Sequence, residues 1–185
     1  MVTYLGKIGE LALKGSNIKS FEKLLVSNAK NCLLSVEAKV SLRAGRLYVE
    51  CEENACEAVE FTLNHLLGIT GWAKAVPVDK DISAIQNTVY ELALQEEKKG
   101  CRTFKIQARR SDKSFPMTSY DIMREAGNKI VENGLLSVDV HNPHTVFNVE
   151  IREKAFVYAD SNKSCRGLPV GCSGKGLLLL SGGLD

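Results

Sequence analysis

Thr103-Phe104-Lys105-Ile106-Gln107-Ala108-Arg109 is the stretch whose reading decides the fold. Phe104, Ile106 and Ala108 alternate with Lys105, Gln107 and Arg109. A period of two predicts a strand with an apolar face toward a core and a cationic face away from it. Arg110-Ser111-Asp112-Lys113-Ser114-Phe115-Pro116 follows as a loop. Arg109 and Arg110 cannot point the same way in a strand, so one of them is expected to pair with an acid or cap a helix. Thr118 with Asp121 has the spacing of a capping box. Ile122, Met123, Ala126, Ile130 and Val131 then form one helix face, which Asn133-Gly134 ends. On the other side, Asp81 caps a helix carrying Ile82, Ile85, Val89, Leu92 and Ala93, and Gly100 stops it. With strands expected over 69–76, 146–151 and 155–159, a unit of helices and strands begins around Ile69.

Residues 1–68 read as a separate unit. A strand is expected over 3–8, and Gly15-Ser16-Asn17 supplies a breaker and a helix cap. Ile18, Phe21, Leu25, Ala29 and Cys32 recur at helical spacing. Ala38, Val40 and Leu42 alternate with polar residues, as do Leu47, Val49 and Cys51, and Ala44-Gly45 lies between the two runs as a hairpin turn. A helix from about Asn54 carries Ala55, Val59, Leu63 and Leu66 and stops at Gly68. Strand, helix, strand, strand, helix is most of a ferredoxin-like split unit. The fold class is therefore α+β.

Residues 160–175 read as a linker rich in Gly, Ser, Asn and Cys. Beyond it, Leu177-Leu178-Leu179-Leu180 suits a strand buried on both faces of a parallel sheet. Ser181-Gly182-Gly183-Leu184-Asp185 follows at once. Glycines there let backbone N–H groups approach phosphate oxygens, the Ser181 hydroxyl can donate to a phosphate, and Asp185 suits Mg²⁺ or loop ordering. Gly174-Lys175 imitates the end of a Walker loop, but Pro169 and Gly176 stand at the positions that loop needs for Gly and for Ser or Thr, so it is rejected.

Composition narrows the function classes. The 185 residues are 44% hydrophobic and 25% charged, which suits globular domains. No apolar run approaches the ~18 residues of a membrane span, and the start lacks signal-peptide character, so cytoplasmic location is expected. Cys32, Cys51, Cys56, Cys101, Cys165 and Cys172 show no C-x-x-C pair or zinc spacing and read as free thiols. His65, His141 and His144 read as structural. The net charge is only +2, yet Lys98, Lys99, Arg102, Lys105, Arg109, Arg110 and Lys113 fall close together with Asp112 as the single acid. Such a run is either a solvated face or a footprint for phosphates. Lys105, Arg109, Arg110 and Lys113 are the candidate phosphate contacts, with Phe115 as an aromatic surface beside them and Lys14 as a weaker N-terminal candidate.

In order along the chain stand Gly9-Glu10-Leu11-Ala12-Leu13-Lys14-Gly15, Thr103-Phe104-Lys105, Arg109 to Pro116, Val138-Asp139-Val140-His141-Asn142-Pro143, Gly167-Leu168-Pro169-Val170-Gly171 and Leu179 to Asp185. Together they resemble the tRNA 4-thiouridine synthetase (tRNA sulfurtransferase) family, ThiI, over essentially the whole chain. The resemblance implies an N-terminal ferredoxin-like domain (1–68), a THUMP RNA-binding domain (69–163), and a linker with the first strand and loop of a truncated PP-loop ATP pyrophosphatase domain (164–185). It implies ATP and Mg²⁺ as cofactors of the longer parent, with Leu179, Leu180, Ser181, Gly182, Gly183 and Asp185 at the nucleotide. The implied reaction adenylates a uridine at position 8 of tRNA. Sulfur then arrives from a persulfide carried by a donor such as a cysteine desulfurase, and some members also supply thiamine's thiazole. No catalytic residue is implied within this chain, which alone is expected to be inactive and to hold no cofactor tightly. The implied partner is tRNA, through its acceptor arm, with no membrane and with homodimerisation left open. Two other readings stand beside this one: a non-catalytic THUMP-type RNA-binding module, and a THUMP-bearing RNA methyltransferase. The Ser-Gly-Gly-x-Asp ending argues against the last.

Overall fold

A computed structural model describes residues 1–9 and 17–176. The first unit contains β1 (Val2–Ile8), α1 (Ile18–Cys32), β2 (Ala38–Arg43), β3 (Arg46–Cys51), a 3-10 turn (Glu53–Ala55) and α2 (Cys56–His65). It is closed by β4 (Ile69–Val78). The strands lie in the order β2-β3-β1-β4, every pair antiparallel. The expected strand and helix spacing places most of the apolar residues inward, although Cys32, expected on the apolar face of α1, is exposed. Tyr4, Leu47, Val49 and Trp72 from the sheet meet Leu25, Ala29, Val59 and Leu63 from the two helices. Fully burying each such aliphatic side chain contributes roughly 1.5–3 kcal/mol. Ala44 and Gly45 both have positive φ (46° and 73°), as a tight hairpin turn requires. The expected cap of α1 is not made by Asn17, whose side chain accepts no capping hydrogen bond; the Ser20 hydroxyl donates to the Asn17 carbonyl instead.

The second unit contains α3 (Ile82–Lys98), β5 (Thr103–Arg110), α4 (Ser119–Glu132), β6 (Ser137–Val138), β7 (Thr145–Ile151) and β8 (Ala155–Ala159). Strand order is β4-β8-β7-β5-β6, with β5 parallel to both β7 and β6. Asp81 accepts from the Ala84 N–H at the start of α3, and Thr118 with Asp121 makes the reciprocal capping box of α4. Phe104 and Ile106 face Ile122, Ala126 and Ile130 of α4 and Ile85 and Val89 of α3.

Ile69, expected to open the second unit, starts a strand that serves both. Residues 69–75 pair with β1, and Val76–Val78 pair with β8. One continuous extended chain satisfies the edges of two sheets, which links them without a flexible connection. The short β6 and β9 (Asn162–Lys163) carry no detectable sequence pattern at two residues each; β9 adds to β4 at Gly71 and Trp72. From there the chain returns over the first unit rather than running free as a linker. The Ser164 hydroxyl donates to the Leu63 carbonyl (2.6 Å), Gly68 and Ile69 exchange backbone bonds with Arg166, and Asn28 donates to the Val170 carbonyl.

Candidate nucleic-acid interface

Strand β5 sets the geometry. With Phe104 and Ile106 committed to the helices, Lys105, Gln107 and Arg109 lie on the helix-free face. Their parallel neighbours on β7 are Val146, Asn148 and Glu150. Lys105 is half-buried and its Nζ donates to the Val140 carbonyl at 3.1 Å. Arg109 is exposed and, among the described residues, has no carboxylate within ion-pair distance. Four residues of strand separate these two side chains by about 13 Å.

Arg110 points the other way, and its Nη1 donates to the carbonyls of Phe115 (3.0 Å) and Met117 (2.8 Å). It clamps the loop that leads into α4, the helix-entry role open to one of the paired arginines. The Phe115 ring points inward, where it is 6% exposed within the α3–α4 core. Phe115 therefore cannot offer the stacking surface expected of it; Tyr120, 70% exposed at the start of α4, is the aromatic that faces solvent nearby. Lys113 is exposed without an ion pair among the described residues. Asp112, the one acid of the basic run, is taken by Lys80 at 2.6 Å. Hydrogen bonds from Lys80 and from Ser114 hold its carboxyl well below the usual range. Lys99 and Arg102 pair with Glu96 and Glu97 at the end of α3. The run is thus not one cluster: Lys105, Arg109 and Lys113 lie around β5 and its loop, Arg110 is turned to the loop, Lys99 and Arg102 pair with local acids, and Lys98 is exposed at the end of α3. Lys14 and residues 179–185, including Leu179, Leu180, Ser181, Gly182, Gly183 and Asp185, lie outside the described residues.

A second polar group, which the sequence reading missed, joins the two units. On β3 the alternation of Arg46, Tyr48 and Glu50 with Leu47, Val49 and Cys51 suggested one solvated face. Arg46 is 6% exposed and Tyr48 fully buried, because the helix-free faces of both sheets close on each other. Leu5, Tyr48, Ala73 and Ala75 pack there against Phe156 and Tyr158, with Tyr48 and Phe156 edge to face at 5.6 Å. Above this seam Glu150 accepts from Arg46 Nη2 (2.8 Å), Arg152 Nε (2.7 Å) and the Tyr158 hydroxyl (2.9 Å). Arg152 also donates to the Ala44 carbonyl, holding the strained hairpin turn (2.8 Å). Burial alone raises the Glu150 carboxyl, but the hydrogen bonds and charge of Arg46 and Arg152 outweigh it and bring it down to about 2. The available signal was the aromatic content of the supposedly open faces, Tyr48 on one sheet and Phe156 and Tyr158 on the other.

The fold and its partly free cationic face define a class: a ferredoxin-like unit sharing a strand with an α/β unit of THUMP type. The model of the ThiI ferredoxin-like domain matches residues 3–73, and that of the THUMP domain matches 79–160. The chain thus pairs a ThiI ferredoxin-like domain with a THUMP domain, and it is similar to proteins named tRNA sulfurtransferases. It is 46% identical over 185 residues to a probable tRNA sulfurtransferase of Treponema pallidum (strain Nichols), covering 98% of this chain and 46% of that protein. It resembles a 4-thiouridine synthetase solved as a complex with RNA and bound ATP (TM-score 0.81, 34% identity, 99% of this chain, 47% of the other). PH1313 from Pyrococcus horikoshii Ot3 is similar at TM-score 0.81 and 30% identity, over 92% of this chain and 58% of the other. The chain spans about half the length of the curated relatives it matches. Among the described residues no helix is long and apolar enough to cross a membrane, and all six cysteines are free thiols.

Proposed function

We propose that this chain is the tRNA-handling part of an ATP-dependent tRNA sulfurtransferase, and that Lys105, Arg109 and Lys113 contact tRNA phosphates. The observation that carries this is the pair of outward cations on β5, held by a strand whose other face is locked into the core. Contacts of this kind position an RNA without reading its sequence. Selection then comes from the shape of a helix, a loop or a free end, and the family points to the acceptor arm. The rest of the parent is assigned the chemistry: ATP with Mg²⁺ activates the uridine at position 8, and a persulfide donor such as a cysteine desulfurase delivers sulfur to give 4-thiouridine. Supply of sulfur to thiamine's thiazole, homodimerisation and a cytoplasmic setting belong to the same reading. This chain by itself is assigned no thiolation and no tight nucleotide binding. Lys14 stays a secondary contact, and Leu179, Leu180, Ser181, Gly182, Gly183 and Asp185 the nucleotide-facing segment. Arg110 is assigned to the loop it clamps.

The similarity to an RNA-bound 4-thiouridine synthetase supports this over a THUMP-bearing methyltransferase. Competition in a filter-binding assay tests it. An acceptor-arm minihelix should displace whole tRNA from the protein, and an anticodon stem–loop should not. Equal displacement by both hairpins would refute acceptor-arm recognition.

A further inference from the structure

Beneath Arg109, the seam between the two units opens into a cleft of about 290 Å³. Its polar walls are Lys7 and Arg46 from the first unit and Gln107, Arg109, Asn148 and Glu150 from the second. Lys7 and Arg46 are register partners on β1 and β3. Like charges placed directly opposite each other across two strands repel. Arg46 is offset by Glu150, but that carboxylate is also shared with Arg152 and the Tyr158 hydroxyl, so one negative charge already serves two guanidiniums. Lys7 is left with a long hydrogen bond to the Ser161 hydroxyl (3.5 Å) and a position 5.9 Å from the centre of the Tyr158 ring. Among the described residues neither Lys7 nor Arg109 has a carboxylate within ion-pair distance.

We propose that this junction cleft is a subsite for one phosphate group, with Lys7 and Arg109 as its charge partners and, as further donors, the Gln107 amide and the second N–H of the Asn148 amide, whose first donates to the Val146 carbonyl (3.0 Å). The subsite rests on the RNA-binding reading above for its source of phosphate, an RNA backbone; free inorganic phosphate has the same chemistry. Arg46, pinned by Glu150, forms a fixed cationic wall that needs no rearrangement when the anion arrives. The state of Lys7 fits this picture. Burial first, then the charges of Arg46 and Arg109, lower its ammonium pKa against an opposing contribution from Glu150. An added anion would relieve that repulsion. The cleft draws on both units, so an anion there also bridges them.

Lys7→Met and Lys7→Arg distinguish the possibilities, since the first removes the charge at nearly the same shape and the second keeps it. Two readouts are taken on each protein: tRNA binding as a function of salt, and the thermal midpoint in inorganic phosphate against chloride at matched ionic strength. The subsite requires Lys7→Met to flatten the slope of log K against log salt by about 0.7–0.9, the loss of one phosphate contact, with Lys7→Arg close to wild type. If wild type binds tRNA and Lys7→Met binds it with the same slope and affinity, the subsite is overturned while the RNA-binding reading stands. If wild type does not bind tRNA, yet phosphate raises its midpoint and leaves that of Lys7→Met unmoved, the RNA reading falls and the subsite holds for the free anion. Absence of both effects in wild type overturns both.

Discussion

Glu150→Ala removes the carboxylate that accepts from Arg46, Arg152 and Tyr158 at the seam between the two units. Glu150 is 3% exposed, Arg46 6% and Arg152 4%. Truncation therefore strands two guanidiniums and the Tyr158 hydroxyl away from water. Breaking a buried ion pair by deleting one partner costs about 3–5 kcal/mol, largely because the remaining charge is uncompensated. The carboxyl's own titration gives a similar figure. A fall from its ordinary 4.5 to about 2 corresponds to roughly 3 kcal/mol of preference for the charged form in the fold. For a chain of this size each kcal/mol moves the thermal midpoint by roughly 2–4 °C, so Glu150→Ala should lower it by about 6–20 °C. The sign with pH follows from the depressed pKa. Stability from this group is fully present above about 4.5 and is lost as the pH falls toward 2. Calorimetric scans at pH 7 and pH 3 test both halves. Wild type should lose stability at pH 3 by more than Glu150→Ala does, because the variant has already forfeited this contribution. A variant whose midpoint lies within 2 °C of wild type at pH 7 would refute the claim that the pair-and-hydroxyl network holds the units together.

Thr118→Ala dissolves the capping box of α4 and should cost about 1 kcal/mol, read as a midpoint drop of roughly 2–4 °C. Phe115→Ala should destabilise by about 3–5 kcal/mol as a core truncation, whereas Phe115→Leu, which keeps most of the volume, should leave tRNA affinity unchanged; a large affinity loss in folded Phe115→Leu would contradict the inward ring. A Cβ at Gly71 would overlap the Asn162 carbonyl oxygen, so Gly71→Ala should break the β4–β9 pairing. Hydrogen exchange at the Ser164 and Arg166 amides, which bond to Thr70 and Ile69, should then quicken while β1–β3 protection stays, and unchanged protection would count against the β4–β9 pairing as what holds this segment.

The sequence was most legible where one physical demand acts on a segment. Helix α4 shows this: its capping box and its Asn-Gly stop are made, and Ile122, Ala126 and Ile130 of its apolar stripe are buried, while Val131, expected on the same face, is exposed. β5 likewise keeps Phe104 and Ile106 inward and Lys105 and Arg109 outward. Legibility failed where two demands met. Arg46 and Tyr48 look like the wet face of a hairpin because their burial depends on a partner sheet more than a hundred residues away. Phe115 sits in a polar loop, and its ring joins a core built by residues distant in sequence, which the loop's own composition does not announce. Ile69 begins a strand in either unit by local pattern, and which sheet it closes depends on pairing with β1, which local pattern does not encode. For the same reason, adjacency in sequence overstated the cation cluster. Strand alternation turned Arg110 to its loop, and local acids pair with Lys99 and Arg102 at the surface.

The central claim, that Lys105, Arg109 and Lys113 meet tRNA phosphates, is tested most directly by the salt dependence of tRNA binding with these residues replaced by Ala, singly and together. The account predicts slopes flattened by about 0.9 for each lost contact with duplex-like backbone and weaker binding at low salt, in variants whose thermal midpoints stay near wild type. Binding curves of the triple variant that superimpose on wild type across the whole salt range would contradict it.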